Sequence, residues 1–179
     1  GDHSLNATFV YTTEKRWGDK TTATAESFDT DNLGYNNLGI GTLFTLASTA
    51  WQESNVGLMG RINYNYKNRY LLTATIRRDG SSKFGSNNRY GNFPSFSVGW
   101  NIAEEDFVKN NVSWLDQLKL RGGYGVLGNQ EIDNYQYVSV VTTGINYPDG
   151  KSGLIQGAFP KTFANPDIKW EETAMTNVG

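Results

Sequence analysis

Apolar and polar residues alternate with a period of two along residues 62–100, on both sides of a three-residue connection at 67–69. Extended over residues 56–77, one set of alternate positions is apolar: Val56, Leu58, Gly60, Ile62, Tyr64, Tyr66, Tyr70, Leu72, Ala74 and Ile76. The other set carries polar residues: Arg61, Asn63, Asn65, Thr73, Thr75 and Arg77. Since successive side chains of a strand point to opposite faces, the pattern predicts a hairpin with one apolar and one polar face. That arrangement is typical of a membrane-spanning β-barrel, in which the apolar face contacts lipid and the polar face lines a wet lumen.

The same alternation predicts about six strands, each near the roughly 9 to 11 residues that a tilted strand needs to cross the hydrocarbon layer. They are expected at residues 4–13, 55–66, 70–78, 93–102, 117–127 and 167–179. The later strands continue the apolar face with Phe96, Val98, Trp100, Ile102, Leu118, Leu120, Tyr124 and Val126. We therefore expect an all-β fold, an antiparallel up-and-down sheet of about six strands that forms part of a large transmembrane outer-membrane β-barrel.

The connections between these strands differ in length in a regular order. Long polar segments at 14–54, 79–92 and 128–166 alternate with shorter ones at 67–69 and 103–116. Bacterial outer-membrane barrels have long extracellular loops and short periplasmic turns, so the short connections are predicted to be periplasmic. Five aromatic residues lie near them and fit an interfacial girdle: Tyr64, Tyr66, Tyr70, Trp100 and Trp114. The alternative is that aromatic residues are simply common in strands.

Composition narrows the class of protein. A mean hydropathy of -0.54 and the lack of an apolar run of 18 residues give no signal for a transmembrane helix. A search for long apolar runs does not detect a barrel strand, because only every second residue of such a strand has to be apolar. The formal net charge of -2 argues against nucleic acid as a partner, which requires a concentrated basic surface. The chain contains no cysteine, which excludes a disulfide scaffold.

Enzyme and cofactor motifs are incomplete. Gly123, Gly125 and Gly128 satisfy G-x-G-x-x-G, but the residues that follow lack the apolar periodicity of a helix, so no dinucleotide site is expected. The segment from Asp29 resembles the start of a calcium loop, yet Leu33 occupies a ligand position. The acids at the start of the connection 103–116 fit a single helical turn better than a metal site. We expect no enzyme activity, no cofactor and no metal.

Three ordered blocks of sequence resemble one family. They are RYLLTATIRRDGSSKFGSNNRYGNFPSFSVGWNIAEEDF, LDQLKLRGGYGVLGNQ and NPDIKWEETAMTNVG. Together they look like the barrel region of SusC/RagA-type TonB-dependent transporters of Bacteroidetes, over roughly residues 61–179. The resemblance implies a barrel of about 22 strands with a plugged lumen. It also implies import of glycans or peptides across the outer membrane, energised by TonB, with a SusD-like surface lipoprotein as partner and outer-membrane lipid around the barrel.

Both ends of the chain look cut. Gly1 is not preceded by a leader, and the alternation still continues at Gly179. We therefore expect residues 1–179 to be a partial barrel, without the plug domain, the TonB box and the remaining strands. The competing interpretation is a soluble β-sandwich carbohydrate-binding module, in which the alternation would serve two packed sheets. A sandwich gives no reason for long and short connections to alternate.

The candidates for substrate contact fall into two groups. The basic residues predicted on the polar face are Arg61, Arg77, Lys119 and Arg121. The aromatic residues in the long segment 128–166, where a sugar face could stack, are Tyr135, Tyr137, Phe159 and Phe163. The alternative is that the basic residues pair with acids of the plug or of neighbouring strands and that the aromatic residues fold the loop on itself.

Overall fold

The computed structural model describes residues 1–30, 32, 36–112, 114–148, 150 and 153–179. Within these residues the strands are β1 (His3–Glu26), β2 (Leu43–Tyr66), β3 (Tyr70–Ser81), β4 (Tyr90–Asn101), β5 (Lys119–Asn129), β6 (Val141–Pro148), β7 (Leu154–Pro160) and β8 (Glu171–Val178). A 3-10 turn (Ile102–Glu104) and a one-turn helix α1 (Asp106–Lys109) connect β4 to β5. Another 3-10 turn, Leu38–Ile40, lies between β1 and β2. Among the described residues, no helix is long and apolar enough to cross a membrane.

Six strands form one sheet in the order β1-β2-β3-β4-β5-β8, and β6 pairs with β7 in a separate two-stranded sheet. The pairs from β2 to β5 and the pair β5 with β8 are antiparallel. The predicted up-and-down sheet of six strands is therefore confirmed. Within the long polar segment predicted at 128–166, β6 and β7 form a hairpin that was not among the six predicted strands. These two strands have only 8 and 7 residues, fewer than the roughly 9 to 11 residues that a membrane-crossing strand needs.

The chain divides into two compact units, residues 1–14 with 54–179, and residues 15–53. In the second unit β1 and β2 continue well beyond the predicted ends of their strands. Here the sequence is rich in Thr, which favours strands, but it lacks the alternation used to recognise a strand. Arg16 pairs with Glu53 at 3.5 Å, and Trp51 covers Gly18 so closely that a Cβ would lie 2.8 Å from its Nε1. Leu33, in the incomplete calcium loop, lies outside the described residues.

The register in the first unit sets the two faces of the sheet. Ile62 pairs with Ala74, which pairs with Phe96, which in turn pairs with Tyr124. The predicted apolar positions therefore form continuous rows across four strands, and the polar positions form the rows between them. Because the period is two, a shift of one residue in any pair would break these rows.

Few hydrophobic side chains are buried among the described residues: Phe84, Phe93, Ala103, Val108 and Trp170. Phe84, Phe93 and Trp170 form one cluster, with ring centroids 5.1 Å and 5.3 Å from that of Trp170. Val126, which was predicted on the apolar face, is partly buried and packs against this cluster. The alternation did not show this, because the contacts come from segments that are distant in sequence. The sheet thus has a local cluster near one end of its strands and no central core.

Candidate functional site

The polar face of the sheet presents aligned rows of hydrogen-bonding side chains. Asn63 pairs with Thr73, which pairs with Ser97, and the row continues through Gly123 to Asn177. Thr73 Oγ1 donates a hydrogen bond of 3.0 Å to Asn63 Oδ1. Such a surface can exchange hydrogen bonds with water or with a polar ligand, as a lumen wall does.

Lys119 and Arg121 lie together at one end of this face. Together with Asn6, Asn63 and Asn65, they line an open cavity with a volume of about 770 Å³. Lys119 is opposite Asn101 and Arg121 is opposite Gly99, whose missing side chain leaves room for the lysine: a Cβ at Gly99 would lie 3.2 Å from Lys119 Cε. Two of the four basic candidates thus share one surface.

Arg61 and Arg77 lie in other rows of the same face and have partners close by. Arg61 Nε donates to Thr75 Oγ1 at 3.1 Å, and Arg77 Nε donates to Asp79 Oδ2 at 2.6 Å. The acid that pairs with Arg77 lies on the same strand, two residues further along the chain. The contact of Arg61 is thus to a neutral hydroxyl on the neighbouring strand β3.

The four aromatic candidates lie on different segments. Tyr135 has a φ of +67° in the turn before β6, and Tyr137 follows two residues later near Gly85. Phe159 lies on β7 opposite Thr142, and Phe163 comes after that strand with its side chain 94% exposed. Phe163 has the exposure that stacking on a ligand requires.

The apolar face is open to its surroundings. Its large side chains are 36% to 52% exposed: Leu58, Ile62, Ile76, Phe96, Val98, Trp100, Leu118, Leu120 and Tyr124. We call this set the apolar belt. A sandwich would bury such a belt under a second sheet. The exposed belt is therefore evidence against the soluble carbohydrate-binding module.

A buried carboxylate joins the two short connections. Glu105 Oε1 accepts hydrogen bonds from Tyr70 Oη at 2.8 Å and from Trp100 Nε1 at 2.9 Å. Its other oxygen accepts from Arg69 Nη1 at 3.2 Å, and the second nitrogen of the same guanidinium donates to Asp106. We call these five residues the Glu105 cluster. The sequence indicated acids at a helical turn, but not that one of them would be buried under two aromatic donors.

These contacts stabilise the ionised acids. Hydrogen bonds from Trp100 and then Tyr70 lower the pKa of Glu105, and the adjacent Arg69 charge acts in the same direction. The hydrogen bond from Arg69 likewise lowers the pKa of Asp106. A carboxylate that accepts several hydrogen bonds is favoured in its charged form. The cluster is thus a structural joint between 67–69 and 102–109.

An antiparallel sheet with an exposed apolar belt on one face and polar rows on the other is the wall of a membrane-spanning β-barrel. The family model described as TonB dependent receptor-like, beta-barrel matches residues 1–179. The chain belongs to this family.

Relatives and solved structures agree with that assignment. The chain is 35% identical over 178 residues to TonB-dependent receptor P39 of Formosa agariphila, covering 99% of the chain and 17% of the relative. It is 43% identical over 137 residues to TonB-dependent receptor SusC of Bacteroides thetaiotaomicron, covering 73% of the chain and 13% of the relative. It superposes on a structure of the RagAB peptide transporter with a TM-score of 0.82 at 29% identity, covering 99% of the chain and 19% of that structure's chain. The predicted SusC/RagA-type resemblance is confirmed, and the chain spans less than a fifth of the length of each of these proteins.

Proposed function

We propose that residues 1–179 are a section of the barrel wall in a longer TonB-dependent outer-membrane transporter. The observation that carries this proposal is the register, which separates an exposed apolar belt from aligned polar rows over the four adjacent strands β2 to β5. An open sheet leaves unpaired backbone groups at its two edges, and in hydrocarbon these must be satisfied by further strands. This section would form part of the wall that separates the aqueous lumen from the lipid.

The whole transporter would import glycans or peptides, together with a SusD-like surface lipoprotein and with energy from TonB. The similarity to SusC and to RagAB, a peptide transporter, supports this class of activity. Lys119 and Arg121 would line the lumen, where polar and charged side chains set selectivity. Phe163 and the neighbouring outer segment would face the cell exterior and the lipoprotein.

The proposal is tested in cells that carry the full-length receptor. Uptake of fluorescent oligosaccharides and peptides is compared between wild-type cells, cells without the receptor, and cells without TonB. We expect uptake of one ligand class to require both the receptor and TonB. Uptake that continues without TonB would contradict the proposal.

A pair of variants then tests the assignment of the lumen. Lys119→Ala with Arg121→Ala should change uptake of the transported ligand, because both side chains line the polar concave surface. Lys109→Ala, at an exposed lysine of α1 in the short connection, is the control and should leave uptake unchanged. If the double variant and the control variant changed uptake equally, the assignment of Lys119 and Arg121 to the lumen would be contradicted.

A further inference from the structure

One row of the apolar face is interrupted by a glycine. The register places Leu72 opposite Val98, Val98 opposite Gly122, and Gly122 opposite Val178. A Cβ at Gly122 would lie 3.9 Å from Val98 Cγ2 and, apart from its neighbours in the chain, would meet no other atom of the described residues within 4 Å. The missing side chain therefore leaves a depression between β4 and β8 on the face that is turned toward lipid.

The depression is part of an open groove with a volume of about 520 Å³, which we call the Gly122 groove. Its lining on the apolar face consists of apolar and aromatic side chains: Tyr64, Tyr70, Leu72, Val98, Trp100, Leu120 and Val178. Leu71, Gly99 and Arg121 also border the groove, but they alternate with these residues along the strands and project from the opposite face. A Cβ at Gly99 would lie 3.5 Å from Leu71 Cβ and 3.2 Å from Lys119 Cε, which identifies that opposite face as the polar one.

The polar atoms of the aromatic lining have partners outside the groove. Tyr64 Oη lies 2.8 Å from His3 Nδ1. Tyr70 and Trp100 both donate to Glu105. The three rings therefore act as an apolar wall, because their polar atoms are already paired. Such a wall suits a hydrocarbon chain.

Charged side chains surround the end of the groove that adjoins the short connections. Lys67 Nζ lies 5.6 Å from the centroid of the Tyr66 ring, and the side chain of Asp106 is 76% exposed. Lys67 also pairs with Asp2 at 3.4 Å, but this pair is exposed and contributes little. The hydrogen bond from Arg69 is the main cause of the lowered pKa of Asp106, and the charge of Lys67 adds to it. The ammonium of Lys67 and the carboxylate of Asp106 are thus within electrostatic reach of each other.

The balance of these charges selects the headgroup of a lipid. Three bases and four acids lie at this end of the groove: Lys67, Arg69, Lys109, Asp2, Glu104, Glu105 and Asp106. An anionic headgroup would meet this excess of acid. A zwitterionic headgroup carries a phosphate, which accepts from Lys67, and an ammonium, which donates to Asp106. A primary ammonium can make that hydrogen bond, whereas a quaternary ammonium has no N–H.

We propose that the Gly122 groove binds one acyl chain of a periplasmic-leaflet phospholipid whose zwitterionic headgroup ends in a primary ammonium. The proposal goes beyond transport and rests only on the assignment of these strands to the barrel wall. The rest of the apolar belt contacts lipid of any kind, since hydrocarbon chains are interchangeable there. The groove differs because it combines a recess for a chain with a charge pair for a headgroup. The rings of Tyr70 and Trp100 lie between the two, at the level of the interface.

The test uses the full-length receptor in detergent, stripped of lipid and followed by native mass spectrometry. Phosphatidylethanolamine, phosphatidylcholine and phosphatidylglycerol with identical acyl chains are titrated in turn. Gly122→Leu fills the groove, and the new side chain has room beside Val98. Gly60→Leu is the matched control, because Gly60 is another glycine of the apolar face, with a Cβ position 3.8 Å from Ile76 Cγ2. It lies four residues along β2 from Tyr64, roughly 13 Å further from the turn.

We expect the wild-type receptor to bind one phosphatidylethanolamine more tightly than either of the other lipids. Gly122→Leu should weaken this binding about tenfold, the effect of displacing about two buried CH₂ groups, and Gly60→Leu should change it by less than about twofold. Asp106→Asn keeps an acceptor for Arg69 but removes the charge. This variant should lower the preference for phosphatidylethanolamine over phosphatidylcholine about threefold, the size expected for an exposed ion pair.

Equal binding of the three lipids by the wild type, or equal weakening by the two glycine variants, would overturn the site. So would an unchanged lipid preference in Asp106→Asn. Retention of the heat-modifiable band on electrophoresis shows that a variant has folded. If Gly122→Leu does not fold, Gly122→Ala takes its place, with an expected weakening of about fourfold for one CH₂ group. TonB-dependent uptake that persists without selective lipid binding would leave the proposed transport function standing.

Discussion

Trp100 Nε1 donates a hydrogen bond of 2.9 Å to Oε1 of Glu105, five residues further along the chain. Tyr70, which is paired with Trp100 across β3 and β4, donates to the same oxygen at 2.8 Å. The two aromatic residues therefore have an apolar body on the sheet and a polar atom on the turn, as residues at a membrane interface do. Two residues of the predicted aromatic girdle, Tyr70 and Trp100, thus share the buried carboxylate of Glu105 as their hydrogen-bond acceptor.

Replacement of Glu105 should loosen the joint between the two short connections. Glu105→Ala leaves the Tyr70 hydroxyl and the Trp100 indole without their acceptor, and Glu105→Gln keeps one acceptor oxygen but loses the charge. We expect stability to fall in the order wild type, Gln, Ala. Urea unfolding of the full-length receptor in lipid vesicles measures it. Glu104→Gln, whose partner Lys109 is exposed, is the control and should change little.

The same acids predict a dependence on pH. The pKa values of Glu105 and Asp106 are lowered in the fold from ordinary values of 4.5 and 3.8. Their contribution is therefore complete above about pH 4.5 and is lost as the pH falls through the lowered values. The stability of the vesicle-inserted receptor should show no change due to these two acids between pH 5 and 8 and should decline at more acid pH. Glu105→Gln should flatten part of that decline, and an identical profile for the variant would contradict the assignment.

Arginine substitutions distinguish the two faces of the sheet. Leu72→Arg on the lipid-facing side should cost roughly 2 to 4 kcal/mol if it lies near the bilayer midplane. Thr73→Arg points to the polar side and should cost much less, since its charge stays in a wet lumen. Folding of the full-length variants into vesicles gives both values, and equal penalties would refute the assignment of the faces.

Labelling of single cysteines tests which connections face the exterior. A membrane-impermeant maleimide applied to intact cells should react with Phe163→Cys, whose side chain is 94% exposed in a long connection. It should not react with Asn110→Cys in the short connection after α1, because that side is predicted to be periplasmic. Reaction of Asn110→Cys once the outer membrane is permeabilised confirms that the thiol is accessible. Similar labelling of both positions in intact cells would reject the topology.

The cluster around Trp170 should be the most sensitive apolar contact of the first unit. Trp170 is buried against Phe84 and Phe93, and its Nε1 donates to Arg89 O at 3.1 Å. Trp170→Ala should destabilise the barrel by about 3 to 5 kcal/mol, as the removal of a buried aromatic does. Phe163→Ala, an exposed aromatic, should change stability by no more than about 0.5 kcal/mol. Urea unfolding of both variants checks the difference.

The sequence by itself determined the strands that cross the membrane and the face to which most of their residues point. Alternation with period two is a local property, and a strand with one lipid face and one wet face must display it. For the same reason Lys119 and Arg121 could be predicted on the polar face. The lengths of the connections then determined the up-and-down order.

Only the tertiary structure decided where distant segments meet. The burial of Glu105 depends on Tyr70 and Trp100, which the register places side by side. The packing of Val126 depends on Trp170, which is 44 residues further along the chain. None of these contacts leaves a periodic signal, because each depends on the register between strands and on side chains that approach from separate loops.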